Sequence, residues 1–177
     1  MNNDYKKQVL GLAAYSGTGK TSLLIKLLPL LRDSGLRVAM IKHAHHDFDI
    51  DQPGKDSYEL RKASGVQVLI ASCYRRALIT ETPKGDELEL EELVSELNLD
   101  AVDLVLVEGF RHLAFPKIEL HRPSTGKALI FPDDENVIAI ASDENIETDG
   151  LPLLNLNHPE AIAKFVSEWT LCRKVTN

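Results

Sequence analysis

Apolar and polar positions alternate in blocks along the chain, and the blocks change period. Residues 8–15 (QVLGLAAY) form a short, almost wholly apolar run, which predicts a buried strand. Residues 21–32 (TSLLIKLLPLLR) carry leucines at helical spacing, with Pro29 expected to kink or weaken the last turn and Gly35 to stop the helix. Strand-like runs recur at 37–43, 67–73, 76–80, 103–107 (DLVLV) and 137–141 (VIAIA). Helical patterns fall at 56–64, ended by Gly65, at the acidic stretch 87–97, and at 159–173 with Pro159 in the first turn. Two further strand-like runs, 117–121 and 127–131, flank Arg122-Pro-Ser-Thr-Gly126, a turn composition that predicts a hairpin excursion over 116–132. Apolar strands alternating with helices predict an α/β fold: a mostly parallel sheet with helices on both faces, plus the hairpin. At 177 residues, without a repeat or linker, residues 1–177 are expected to form one domain.

Charge narrows the partners. Lys and Arg number 20 against 27 Asp and Glu, a formal charge of −7. That balance argues against nucleic acid or an anionic membrane as partner, since both call for a basic excess. No apolar run approaches the ~18 residues of a membrane span. Cys73 and Cys172 form no metal or disulfide pattern, and with no signal-peptide pattern at the start the expected location is cytoplasmic.

The strongest chemical signal lies between the first strand and the first helix. Ala14-Tyr-Ser-Gly-Thr-Gly-Lys-Thr21 matches the phosphate-loop pattern G-x-x-x-x-G-K-[ST], with Ala14 in place of the first Gly. Gly17 and Gly19 let successive N–H groups turn into one concavity. The helix start adds its own N–H groups and the positive end of its dipole. Ser16, Gly17, Thr18, Gly19, Lys20, Thr21 and Ser22 are therefore the candidate nucleotide-binding residues, with Lys20 on the β- and γ-phosphates and the Thr21 hydroxyl on Mg²⁺. Alanine at position 14 predicts that this residue is not left-handed.

A metal-bound phosphate also needs a carboxylate. Glu108 ends the strand 103–107 on the edge where open α/β sheets bind ligands, whereas Asp103 marks the strand's entry. Gly109 would let backbone approach the phosphate. Lys42-His43-Ala-His45-His46-Asp47-Phe48-Asp49 follows the second strand and suits phosphate, Mg²⁺ or attacking-water contact, a transition metal, or a solvated loop. Lys42 and His43 are its candidate catalytic members, beside Lys20 and Glu108. Asp56 or Ser57 is a candidate N-cap, and Lys55 beside them a candidate anion contact. Asp143, just past VIAIA, can accept paired hydrogen bonds from guanine N1 and N2, or can simply start a turn.

The stretches AAYSGTGKTSLL, IKHAHHDFDIDQPGKDSYELRKA, ALITETP, DLVLVEGFRH and VIAIASD, spread in order over nearly the whole chain, resemble the molybdopterin-guanine dinucleotide biosynthesis protein B (MobB) family. The Ala at the first loop position also fits that family. The resemblance implies a P-loop fold and a homodimer to which an extended hairpin contributes, and the hairpin expected at 117–131 is the candidate for that element, since an exposed strand edge is an available pairing surface. It implies GTP and Mg²⁺ as ligands, with slow hydrolysis at most. It also implies an accessory role beside the guanylyltransferase (MobA) that attaches GMP to molybdopterin, with molybdopterin met directly or through that partner. Two other classes fit the residues. One is a small-molecule kinase, with Arg75, Arg76, Arg111 and Arg122 as lid candidates. The other is a metallochaperone GTPase using His43, His45 and His46.

Overall fold

A computed structural model describes residues 8–44, 48–82 and 89–175. They divide into two compact units, Met1–His43 with Leu90–Asn177, and Ala44–Glu89. The first unit holds a six-stranded sheet in the order β2-β5-β1-β6-β7-β8, formed by β1 (Val9–Ala13), β2 (Val38–Lys42), β5 (Leu104–Glu108), β6 (Lys117–His121), β7 (Val137–Ser142) and β8 (Leu153–Asn155). Every pairing in this sheet is parallel. The apolar runs form its interior because a strand covered on both faces needs no polar side.

One face is covered by α1 (Lys20–Asp33) and α4 (Pro159–Val175). Leu23, Leu24, Leu27 and Leu31 of α1 and Ile162 and Val166 of α4 meet Leu10, Leu12, Leu104, Leu106, Ile118 and Leu120 in the core. The α1 helix runs on past Pro29, which lies on its exposed side. The carbonyl left without a partner one turn earlier belongs to Ile25, itself exposed. Gly35 ends the helix at φ 90°, with Leu36 N–H donating to Leu31 O at 3.1 Å. The acidic stretch contains the short α3 (Leu90–Ser95), which buries Leu90 and Val94; its expected start, 87–88, lies outside the described residues.

The second unit contains α2 (Asp56–Ser64) and the antiparallel pair β3 (Gln67–Ala71) and β4 (Arg76–Thr80). Gly65 ends α2 at φ 70°. Lys55, not Asp56 or Ser57, takes the N-cap position, and no side chain caps the helix. Inside the unit, the buried Arg61 guanidinium is held by Asp49, Asp51 and Glu81 at 2.5, 3.0 and 2.6 Å.

The hairpin expected over 116–132 is corrected by this topology. The additional hairpin is β3–β4. The 117–121 run is an interior parallel strand between β1 and β7, and 127–130 forms no strand. Alternating charge in Lys117-Ile-Glu-Leu-His121 imitates a half-exposed hairpin strand, but all three polar side chains are buried. Lys117 Nζ donates to Arg111 O and Leu113 O and pairs with Asp134 at 2.6 Å. The Glu119 carboxylate, pushed above its ordinary range by burial, accepts the N–H groups of Ile130 and Phe131 at 2.8 and 2.9 Å. These partners draw the segment after β6 across the sheet face.

Candidate functional site

The turn from β1 into α1 has the shape the loop chemistry requires. Gly17 and Gly19 take φ 84° and 95°, and Gly19 is the N-cap of α1. Ala14 does not take positive φ, as expected for a Cβ-bearing residue at that position. Thr18 is buried, and its Oγ1 donates to Tyr15 O at 2.8 Å, closing the loop on itself. The first turn of α1 has no side-chain cap and no acidic residue, so its N–H groups and dipole are uncompensated from within the helix. Lys20 Nζ folds back on Ala14 O and Tyr15 O at 3.1 and 3.2 Å. Burial holds the Lys20 ammonium below the usual lysine range; Glu108 opposes that effect and Arg111 adds to it. Ser16, Gly17, Thr21 and Ser22 are exposed, on a surface a ligand can reach.

Glu108 ends β5, in register with Leu12 of β1 and Lys42 of β2. With a period of two it shares the face of Leu104 and Leu106, the face that α1 covers. The carboxylate is thus on the side of the sheet that carries α1, the helix to which Thr21 belongs, as a divalent cation shared by Thr21 and Glu108 would require. Lys42 lies exposed at the same edge.

Just past Glu108 the backbone is strained. Gly109 and Phe110 both take positive φ, 107° and 51°. A Cβ on Gly109 would stand 2.5 Å from His43 Cβ. The buried Phe110 ring stacks on the His43 imidazole, centroids 4.5 Å apart and planes 14° from parallel, and His43 N–H donates to Glu108 O at 2.8 Å. The strain sits at Phe110, a bulky residue in the left-handed region, and a strained residue beside a candidate metal carboxylate is a usual mark of a site held in one geometry. The structure therefore brings Lys20, Glu108, Lys42 and His43 to one sheet edge with the loop. His45, His46 and Asp47 lie outside the described residues. Among the described residues no group of three His, Cys, Asp or Glu is arranged to hold a metal.

Three side chains that the motif does not contain complete the surroundings. The Arg111 guanidinium lies over the Tyr15 ring, 4.9 Å from its centroid. Both residues line an open cleft of about 700 Å³, together with Ile130, Asp133 and Asn136. Arg122, weighed from sequence only as a kinase-lid arginine, donates from Nε to Thr18 O at 3.0 Å and from Nη1 to Asp143 Oδ2 at 2.5 Å. Asp143 Oδ1 is buried and has no hydrogen-bond partner among the described residues. The rule that located Glu108 would have found Arg122 too, had β6 been read as a parallel strand.

Comparison with known proteins gives the family and the fold. Residues 9–143 match the model of the family MobB, described as molybdopterin guanine dinucleotide synthesis protein B. The molybdopterin-guanine dinucleotide biosynthesis adapter protein of Escherichia coli (strain K12) is 50% identical over 164 residues, covering 91% of this chain and 92% of that one. Its namesake in Haemophilus influenzae is 43% identical over 170 residues, 96% and 92% of the two chains. A crystal structure of molybdopterin-guanine biosynthesis protein B superposes with a TM-score of 0.71 at 27% identity, covering 92% of this chain and 98% of the other. Bacillus subtilis MobB, at 22% identity and a TM-score of 0.72, shares the fold over 92% of this chain and 97% of its own.

Proposed function

The chain belongs to the molybdopterin guanine dinucleotide synthesis protein B family, and from that premise we propose that it is a GTP-binding adapter of molybdenum-cofactor assembly. In this reading it assists the guanylyltransferase that attaches GMP to molybdopterin, and meets molybdopterin directly or through that partner. The observation that carries the nucleotide part is the loop itself: two left-handed glycines, an uncapped helix start and a lysine resting on loop carbonyls. A triphosphate replaces those carbonyls as the partner of Lys20 and takes the amides of residues 16–22. Burial works against the Lys20 ammonium, and an anion at the loop would work the other way and favour it.

Thr21 and Glu108 are the residues that would hold Mg²⁺, which supplies charge neutralisation on the phosphates. His43, fixed by Phe110, and Lys42 border the same edge and would position water or phosphate oxygen there. With these groups alone, turnover is slow at most. Lys20→Ala should lower GTP affinity by at least 100-fold, with the melting temperature essentially unchanged. Calorimetric titration with Mg²⁺ present checks this, and undiminished binding overturns the phosphate assignment.

The adapter reading includes a second copy of the chain, joined through β3–β4. Val66, Leu69, Tyr74 and Leu78 are 65%, 61%, 90% and 50% exposed, and a lone two-stranded pair has two open edges to offer. Leu69→Asp should convert a dimer to monomer in sedimentation equilibrium; an unchanged mass removes the hairpin from the interface.

A further inference from the structure

Arg122 and Asp143 each stand one residue past the end of a strand, and those strands are neighbours: His121 of β6 is in register with Ser142 of β7. The Arg122 guanidinium spans two acceptors on different elements, the Thr18 carbonyl of the phosphate loop and Asp143 Oδ2. A Cβ on Gly19 would be in van der Waals contact with its Nε, at 3.9 Å, so the guanidinium lies against the loop itself. The Asp143 carboxylate is only half used, since Oδ1 is buried with no donor facing it.

We propose that Arg122 is a specificity-positioning residue: it locks Asp143 to the phosphate loop so that this carboxylate reads the base of a guanine nucleotide. The proposal rests on the reading that the loop binds GTP. Guanine presents two parallel donors, N1–H and the 2-amino group, matched to a carboxylate. Oδ1 takes one, and a second lone pair on Oδ2 takes the other while still accepting from Arg122. Oδ1 is shielded from solvent, so the base enters with a local shift at the end of β7. Lysine could not replace the strut, because a point charge cannot hold two acceptors in fixed directions as the planar fork does. The same guanidinium that orients the base reader grips the loop, so base and phosphate sites share one rigid link.

Asp51, the buried carboxylate that pairs with Arg61, has both oxygens occupied by the guanidinium fork, Oδ1 at 3.0 Å and Oδ2 at 3.3 Å. Asp143 departs from that pattern, and a buried acceptor without a donor is costly unless a ligand supplies one.

The test titrates the full chain, with Mg²⁺, against GTP, ITP (which lacks the 2-amino group), XTP and inorganic tripolyphosphate. The parent should bind GTP at least tenfold tighter than ITP. Arg122→Lys and Arg122→Ala should bring that ratio towards one, with a smaller loss of tripolyphosphate affinity than of GTP affinity. Asp143→Asn, which keeps Arg122, should exchange GTP for XTP preference. An unchanged GTP:ITP ratio in both Arg122 variants overturns the proposal, as does an equal loss of GTP, ITP and tripolyphosphate affinity, which would make Arg122 a support of the loop alone. Firm tripolyphosphate binding by a parent indifferent to GTP and ITP sinks the base reader and spares the phosphate loop. A parent that binds neither GTP nor tripolyphosphate sinks both readings.

Discussion

Asp103 and Glu108 bracket β5, and the same functional group meets opposite circumstances at its two ends. The Asp103 carboxylate accepts from Arg37 N–H, Nε and Nη2 at 2.8, 3.0 and 2.8 Å and from Lys174 Nζ at 2.5 Å. It ties the entry of β5 to the start of β2 and the end of α4. Hydrogen bonding from Arg37, with Lys174 beside it, holds this carboxyl far below the ordinary carboxylate range, although burial works the other way. Glu108, five residues on, accepts no side-chain hydrogen bond among the described residues, and what lies around it is the loop lysine and a strained backbone. A saturated carboxylate adds stability; an unsaturated one at a strand's carboxyl end is, in the proposed reading, open to a metal ion.

Substitution at the two ends should separate these roles. Asp103→Asn is expected to cost about 2 kcal/mol, since it weakens charge-assisted bonds at a buried position. For a chain of this size that is a fall of roughly 4–8 °C in melting temperature. Nucleotide affinity should hold, and a Tm unchanged by calorimetry would show that the cluster is decorative. Glu108→Gln should do the reverse: stability within about 0.5 kcal/mol of the parent, but at least a tenfold loss in the enhancement that Mg²⁺ gives to GTP binding. A variant with full Mg²⁺ response would place the metal carboxylate elsewhere.

The smallest effect concerns acid. The folded-state pKa of Asp103 is depressed, so its stabilisation is complete above the unfolded carboxyl value of about 4 and is lost as pH falls below it. Chemical denaturation from pH 6 to 2 should show the parent losing its advantage over Asp103→Asn across that window. Parallel curves would mean that the ion pairs contribute nothing.

Strand and loop chemistry differed in how openly the sequence declared them. The phosphate loop, the buried strands, α1 and its Gly35 stop, and Glu108 at a strand end were legible because each depends on neighbours along the chain. The position of the hairpin was not. Lys117, Glu119 and His121 alternate as an exposed strand would, and only the partners supplied by residues 111–113, 130–131 and 134 make their burial tolerable. β8 and the N-cap at Lys55 carry weak local signals and were likewise missed.

Within the site, local order determined which residues form the cradle, since glycine spacing and a following helix suffice to shape it. Tertiary structure alone decided who stands around it. Arg122, 104 positions from Thr18, reaches the loop because β6 lies beside β1, and it meets Asp143 because β7 lies beside β6. Periodicity reports which way a side chain faces, but strand order sets which charges become neighbours, and that order comes from how the whole sheet buries its apolar faces.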